Sequence, residues 1–225
     1  MPWIDPIDDY AAPPRLPRRG ATPEAWDGVY EGEDGIGRIE GAAVDGDTIV
    51  AERGLVELLD VVATGGVIET DGGSVDLIDS TLTDCDLSRA TIGTVRGTRF
   101  VGCKFSGTDL SERTVRDSVF ERCTMQYTHL RMATLQRVAF DDCRLDDVDF
   151  SESRLEDVTF AASRLVDVNT ERCRFERVDL RGTAELDLSS PTNLRGCLID
   201  DAQVLQLAYR LALLAGATIE RDPEA

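Results

Sequence analysis

The sequence predicts an all-β solenoid, a right-handed four-sided β-helix of five-residue repeats closed by a C-terminal α-helix. Three observations carry that prediction. An apolar residue returns at every fifth position from Val95 to Leu180, a small residue precedes it by two, and the apolar spacing turns helical only after residue 200. A period of five is neither the 3.6 of a helix nor the 2 of an ordinary strand.

The first observation is a count. Steps of five from Val95 pass through Phe100, Phe105, Leu110 and so on to Leu180, and 17 of these 18 positions are apolar, Thr170 being the exception. One residue later, from Arg96 to Arg181, only Val101, Ala161 and Val166 are apolar. The second series, from Gly93 and Thr98 to Val178, holds small or β-branched residues except at Arg113. An inward large residue, an inward small one and outward polar residues between and after them make a short strand and a turn. Four such units close a square coil, which places Phe100, Phe120, Phe140 and Phe160 one coil apart on one inner face as a ladder. With rungs ~4.8 Å apart, residues 75–182 give about five coils and a rod of roughly 25 Å.

An earlier run, Leu77, Leu82, Leu87 and Ile92, keeps the step of five but is out of phase with Val95, so a slip is expected at Gly93–Thr94. Residues 28–74 carry β-branched residues separated by Gly and Asp, and predict irregular strands continuing the helix or an N-terminal cap. Residues 1–27 hold six of the eight prolines and the basic Arg15, Arg18 and Arg19, and read as a flexible arm. The β-helix is assigned to 75–199, strict to 182. Residues 200–216 form a helix that caps the rod or joins two copies: Asp200 caps it, Gln203 completes the box and Gly216 ends it. Residues 217–225 are a tail.

The segments CDLSR (85–89), TDLSE (108–112), VDFSE (148–152) and VDLRG (178–182) resemble the A(D/N)LXX unit of pentapeptide-repeat proteins. That resemblance implies a right-handed quadrilateral β-helix. It also implies a binding role, since some members resemble B-form DNA, bind type II topoisomerases and protect DNA gyrase from quinolones. This chain departs from the repeat by placing Arg99, Arg144, Arg154, Arg164 and Arg174 where Asp or Asn is usual.

Charge bears on that role. The net charge is −19, yet residues 1–94 hold 20 acids and 6 bases while residues 95–182 hold 16 and 15. Within the strict rod, Asp141, Asp142, Asp146, Asp147, Asp149, Glu152, Glu156 and Asp157 form a candidate binding belt opposed by Arg144 and Arg154. A belt runs around the rod, whereas duplex phosphates continue along an axis. Such a surface excludes direct nucleic-acid or anionic-membrane binding, which needs clustered Lys and Arg.

No catalytic constellation emerges. His129, the one histidine, precedes an inward leucine and points outward without a named nucleophile beside it. Cys103, Cys123 and Cys143 lie 20 apart as an interior thiol ladder, with no C-x-x-C pair to hold a metal. Carboxylates on a convex wall lack the cleft that raises one pKa for glycoside cleavage. The expectation is a cytoplasmic, non-enzymatic scaffold with no cofactor and no membrane contact. It binds a protein partner, DNA gyrase being the alternative, as a monomer or as a homodimer through the C-terminal helix.

Overall fold

The structure is a computed structural model that describes residues 14–16, 24–25 and 36–219. Its strands pair in parallel, most of them stacking on the equivalent strand of the next coil, giving a solenoid of about eight coils. In the strict rod the chain advances by four repeats per coil: Val115 pairs with Leu135, Leu135 with Leu155, and Leu155 with Phe175. The strands Thr114–Glu121, Thr134–Asp141 and Arg154–Ala161 each run along two faces and turn a corner between them. A third face holds Thr124–Gln126, Arg144–Asp146, Arg164–Val168 and Glu185–Leu188. The fourth is stitched by single bridges from Thr91 through Asp109, His129 and Asp149 to Asn169.

The rod is longer than the five coils counted in the sequence. Residues 36–74 continue it as regular coils that are each one residue shorter, with Ile39 beside Leu58 and Leu58 beside Leu77. That shortening breaks the count of five while leaving the inward positions stacked. The next coil is shorter again, Leu77 pairing with Val95, and the sheet register shifts between Ile92 and Val95, where the sequence showed its slip.

Two features make five residues turn one side. Every corner from Gly97 to Gly182, at the second residue after each large apolar one, has a left-handed backbone, fourteen of them without glycine. L-residues pay roughly 1–2 kcal/mol for that conformation, so packing must hold it in place. The second feature is the small inward residue. Thr98 Oγ1 donates to Leu77 O at 3.0 Å, Thr108 to Leu87 at 2.7 Å, Thr128 to Phe105 at 2.5 Å and Ser163 to Phe140 at 3.2 Å. Cys103 and Cys143 place Sγ against Leu82 O and Phe120 O, at 3.4 and 3.2 Å. Small size alone therefore does not describe these six positions, whose side chains supply a carbonyl of the preceding coil with a donor, whereas Ser118 and Cys123 donate to the carbonyl two residues before them.

The interior is one continuous core. Phe100, Phe120, Phe140 and Phe160 stack at 4.7, 4.9 and 4.9 Å between ring centroids, within 14° of parallel. Arg113 makes neither a bulge nor a loop. Its amide donates to Leu110 O at 3.3 Å as that of Ala133 donates to Leu130 O at 3.1 Å, and its side chain simply leaves for solvent.

The helix Asp201–Leu214 covers the last coil. Asp200 accepts from the amides of Ala202 and Gln203, the Gln203 side chain accepts from the Asp200 amide in return, and Gly216 follows with φ +85°. Gln203 donates to Leu180 O, Leu207 is buried, and Arg210 clamps Asp187 at 2.6 and 2.8 Å and Asp167 at 2.9 Å. Val204, Leu205 and Tyr209 face away, Leu205 with 77% of its surface exposed.

Candidate functional site

The eight belt carboxylates do not behave alike. Asp141, Asp142 and Asp147 are exposed, Asp149, Glu152 and Glu156 are half-buried, and Asp146 and Asp157 are buried. Asp157 is covered because a neighbour one coil away lies over it: Arg177 reaches its two oxygens at 2.6 and 3.0 Å. Asp146 accepts from Arg144 Nε through Oδ2, and its buried Oδ1 has no partner among the described residues.

Nor are Arg144 and Arg154 the only counter-charges, as the linear sequence suggested. A coil spacing of ~4.8 Å brings outward residues about 20 apart into contact. Glu152 accepts from Arg131 at 2.8 Å and Arg172 at 3.2 Å, and Glu156 from Arg177 at 3.0 Å. The same rule pairs Arg137 with both oxygens of Asp117 at 2.6 and 2.7 Å, Arg164 with Glu185 at 2.6 Å, and Arg154 with Glu176 at 3.0 Å. Sequence reasoning missed these pairs, although Asp117, Arg137, Asp157 and Arg177 already alternate in sign at the coil spacing. The bidentate, partly buried pairs are the stronger class; exposed ones contribute about 0–1 kcal/mol.

The electrostatic result is a neutralised wall. Within residues 95–182, Asp109, Glu112, Asp141, Asp142, Asp147 and Asp149 make no ion pair among the described residues. No two of these six stand on adjacent coils of one column, because Arg122, Tyr127, His129, Met132, Ala161, Ala162 and Asp167 interrupt them, and Asp167 is held by Arg210. On the second face the outward residues Val101, Val119, Ala139, Thr159 and Ala161 leave a flat surface of low charge beside Glu121 and Asp141.

His129 is exposed, with Asp109 and Asp149 on the rungs either side of it. The cysteines Cys85, Cys103, Cys123, Cys143 and Cys173 are buried, and burial pushes the Cys173 thiol up to about 12, which leaves it protonated at neutral pH. Among the described residues no three His, Cys, Asp or Glu side chains are arranged to hold a metal ion. Among them also, no helix is long and apolar enough to cross a membrane.

Residues 94–170 match the family described as a pentapeptide repeat region. No curated protein matches the chain in sequence. Among solved structures, a trypsin-treated form of QnrB1, a plasmid-mediated fluoroquinolone resistance protein, is 19% identical, with 80% of this chain and 99% of that one covered and a TM-score of 0.34. Rfr23 from the cyanobacterium Cyanothece 51142, a pentapeptide repeat protein, is 14% identical over 62% of this chain and 91% of its own, with a TM-score of 0.29. HetL, a pentapeptide repeat protein involved in heterocyst differentiation regulation from Nostoc sp. strain PCC 7120, is 13% identical over 73% and 90%, with a TM-score of 0.24.

Proposed function

We propose that this chain, whose rod is built of pentapeptide repeats, is a non-enzymatic scaffold that binds a protein partner through its wall. The carrying observation is the cross-coil pairing of the carboxylates. It leaves no axial line of free negative charge in residues 95–182, and such a line is what competition with a DNA duplex requires. The flat second face, with Val119, Ala139 and Thr159 outward, suits a folded protein surface better than a phosphate-binding groove does.

The alternative reading is a DNA mimic at a type II topoisomerase. A gyrase supercoiling assay with the purified protein titrated in, at two salt concentrations and with and without a fluoroquinolone, separates the two. The scaffold reading expects no effect in any arm. Salt-sensitive inhibition at low micromolar protein, or protection from the drug, would overturn it in favour of the mimic. A homodimer through the outward side of the helix Asp201–Leu214 accompanies the scaffold reading, because Leu205 and Tyr209 otherwise stand in water.

A further inference from the structure

One corner of the rod carries part of the chain's own N-terminal arm. Gly41, Asp60, Asp79, Gly97 and Asp117 stand on a single line along the axis, because each of the first four amides donates to the carbonyl just before the next corner. Those bonds are Gly41 to Leu59 at 3.0 Å, Asp60 to Ile78 at 3.0 Å, Asp79 to Arg96 at 2.8 Å and Gly97 to Arg116 at 3.0 Å. Two pieces of the arm lie at opposite ends of this line. The Arg15 amide donates to Asp117 Oδ1 at 3.2 Å, with Pro14 and Leu16 half-buried and Arg15 exposed. Glu24 and Ala25 pair in parallel with Ala42 and Ala43, directly after Gly41.

The two contacts lie within reach of one another along the chain. Five rungs separate Asp117 from the level of Glu24, about 24 Å at the usual spacing. The stretch from Arg15 to Glu24 reaches at most about 30 Å. Asp117 is also prepared as an acceptor. Arg137 orients both oxygens, and its hydrogen bonds and then the Arg15 amide hold the carboxyl below the usual range. Pro13, Pro14 and Pro17 have no amide to donate, so Arg15 and Leu16 are the donors this stretch of arm can offer.

Of the three carboxylates on the line, Asp79 pairs with Arg96 at 3.4 Å and Asp117 with Arg137 at 2.6 Å, Asp60 makes no ion pair among the described residues, and the arm carries Arg15, Arg18 and Arg19. We infer that this corner is a docking track for an extended strand bearing proline and arginine, and that the chain's own residues 14–16 and 24–25 hold its two ends. A partner strand of the same chemistry gains the track by displacing the arm. The track borders the second-face wall, because Glu24 and Ala25 extend the sheet that carries Val101 and Val119, and its test reads the Arg15 amide and not what that wall binds.

Amide hydrogen exchange followed by NMR on the full chain tests it. The Arg15 amide exchanges about tenfold or more slowly than in a free peptide of residues 11–20, a factor equivalent to about 1.4 kcal/mol of local opening. Asp117→Ala returns it to the free-peptide rate while the Phe140 amide stays protected, and Asp142→Ala, at a corner off the line, changes nothing. Leu16→Asp, on the arm and therefore unable to unfold the rod, also releases it. Excess unlabelled peptide 11–20 added to the wild-type chain brings the Arg15 amide to the free rate. Free exchange in the wild type, or protection that survives both Asp117→Ala and Leu16→Asp, overturns the docking. Protection that persists at saturating peptide overturns the displaceable track.

Discussion

Phe140 and Phe160 lie face to face, their ring centroids 4.9 Å apart and their planes 5° from parallel. The same contact repeats toward Phe120, so Phe140 is gripped from both sides at 1% exposure. Phe140→Ala therefore removes two ring contacts and opens a cavity at mid-rod. The expected loss is ~3–5 kcal/mol, read from the denaturant midpoint. A loss under about 1 kcal/mol would mean that the neighbouring coils collapse onto the gap.

Left-handed corners give a paired test. Ala162 donates its amide to Gly182 O at 3.2 Å, so the two occupy the same corner on successive coils, at φ +51° and +71°. A Cβ on Gly182 meets nothing within 4 Å, so Gly182→Ala isolates the backbone cost. It should lose about 1 kcal/mol, and Ala162→Gly should gain a few tenths to about 1, the unfolded chain's extra freedom offsetting part of the relief. Equal effects of one sign in thermal unfolding would show that corner geometry is not what these residues oppose.

Thr170 breaks the large apolar column beside Phe150, and its Oγ1 is buried without a partner among the described residues. A small interior gap lies there, lined by Phe150, Leu155, Thr170, Phe175 and Leu188. Thr170→Leu fills the gap and removes the unsatisfied hydroxyl. The expected gain is about 1–2 kcal/mol. A lowered melting temperature would reveal that the hydroxyl is hydrated.

Acid should weaken both the rod and its helix cap. Arg137 lowers the Asp117 pKa, and the amides of Gly182, Gln203 and Ala202 lower that of Asp200, each from an ordinary value of 3.8. A depressed folded pKa means the unfolded chain binds the proton more readily. The stabilisation is complete above the ordinary value and is lost as pH falls through the lower folded one. Asp117→Asn should flatten the fall of the unfolding midpoint below about pH 4. An unchanged slope would assign the acid sensitivity to other carboxylates.

For the helix, Leu205→Glu should convert a dimer to a monomer in sedimentation without changing the melting of a dilute sample, because Leu205 touches solvent while Leu207 and Gln203 make the rod contact. Identical sedimentation of both proteins removes the dimer reading.

How much of this was legible in the chain varies by region. From Val95 to Leu180 the period of five gave the faces, the phenylalanine ladder and the outward placement of His129. Before residue 75 the same rod was hard to see because coils one residue short of four full repeats shift the phase each turn, as Leu58 beside Leu77 shows. The corner strain at Tyr127 and Met132, φ +53° and +58°, left no mark in composition, since neither residue favours that conformation.

The sequence by itself determined what is local and periodic: which side chains point inward, that four short units close a coil, and that Asp200 and Gln203 open a helix. Only the tertiary structure decided which charges meet. Residues about 20 apart come within hydrogen-bond distance when one coil stacks on the next, and that proximity turned an acidic belt into the pairs Asp157–Arg177 and Glu152–Arg131. It also brought Arg15 to Asp117, 102 positions away, a contact that no spacing along the chain encodes.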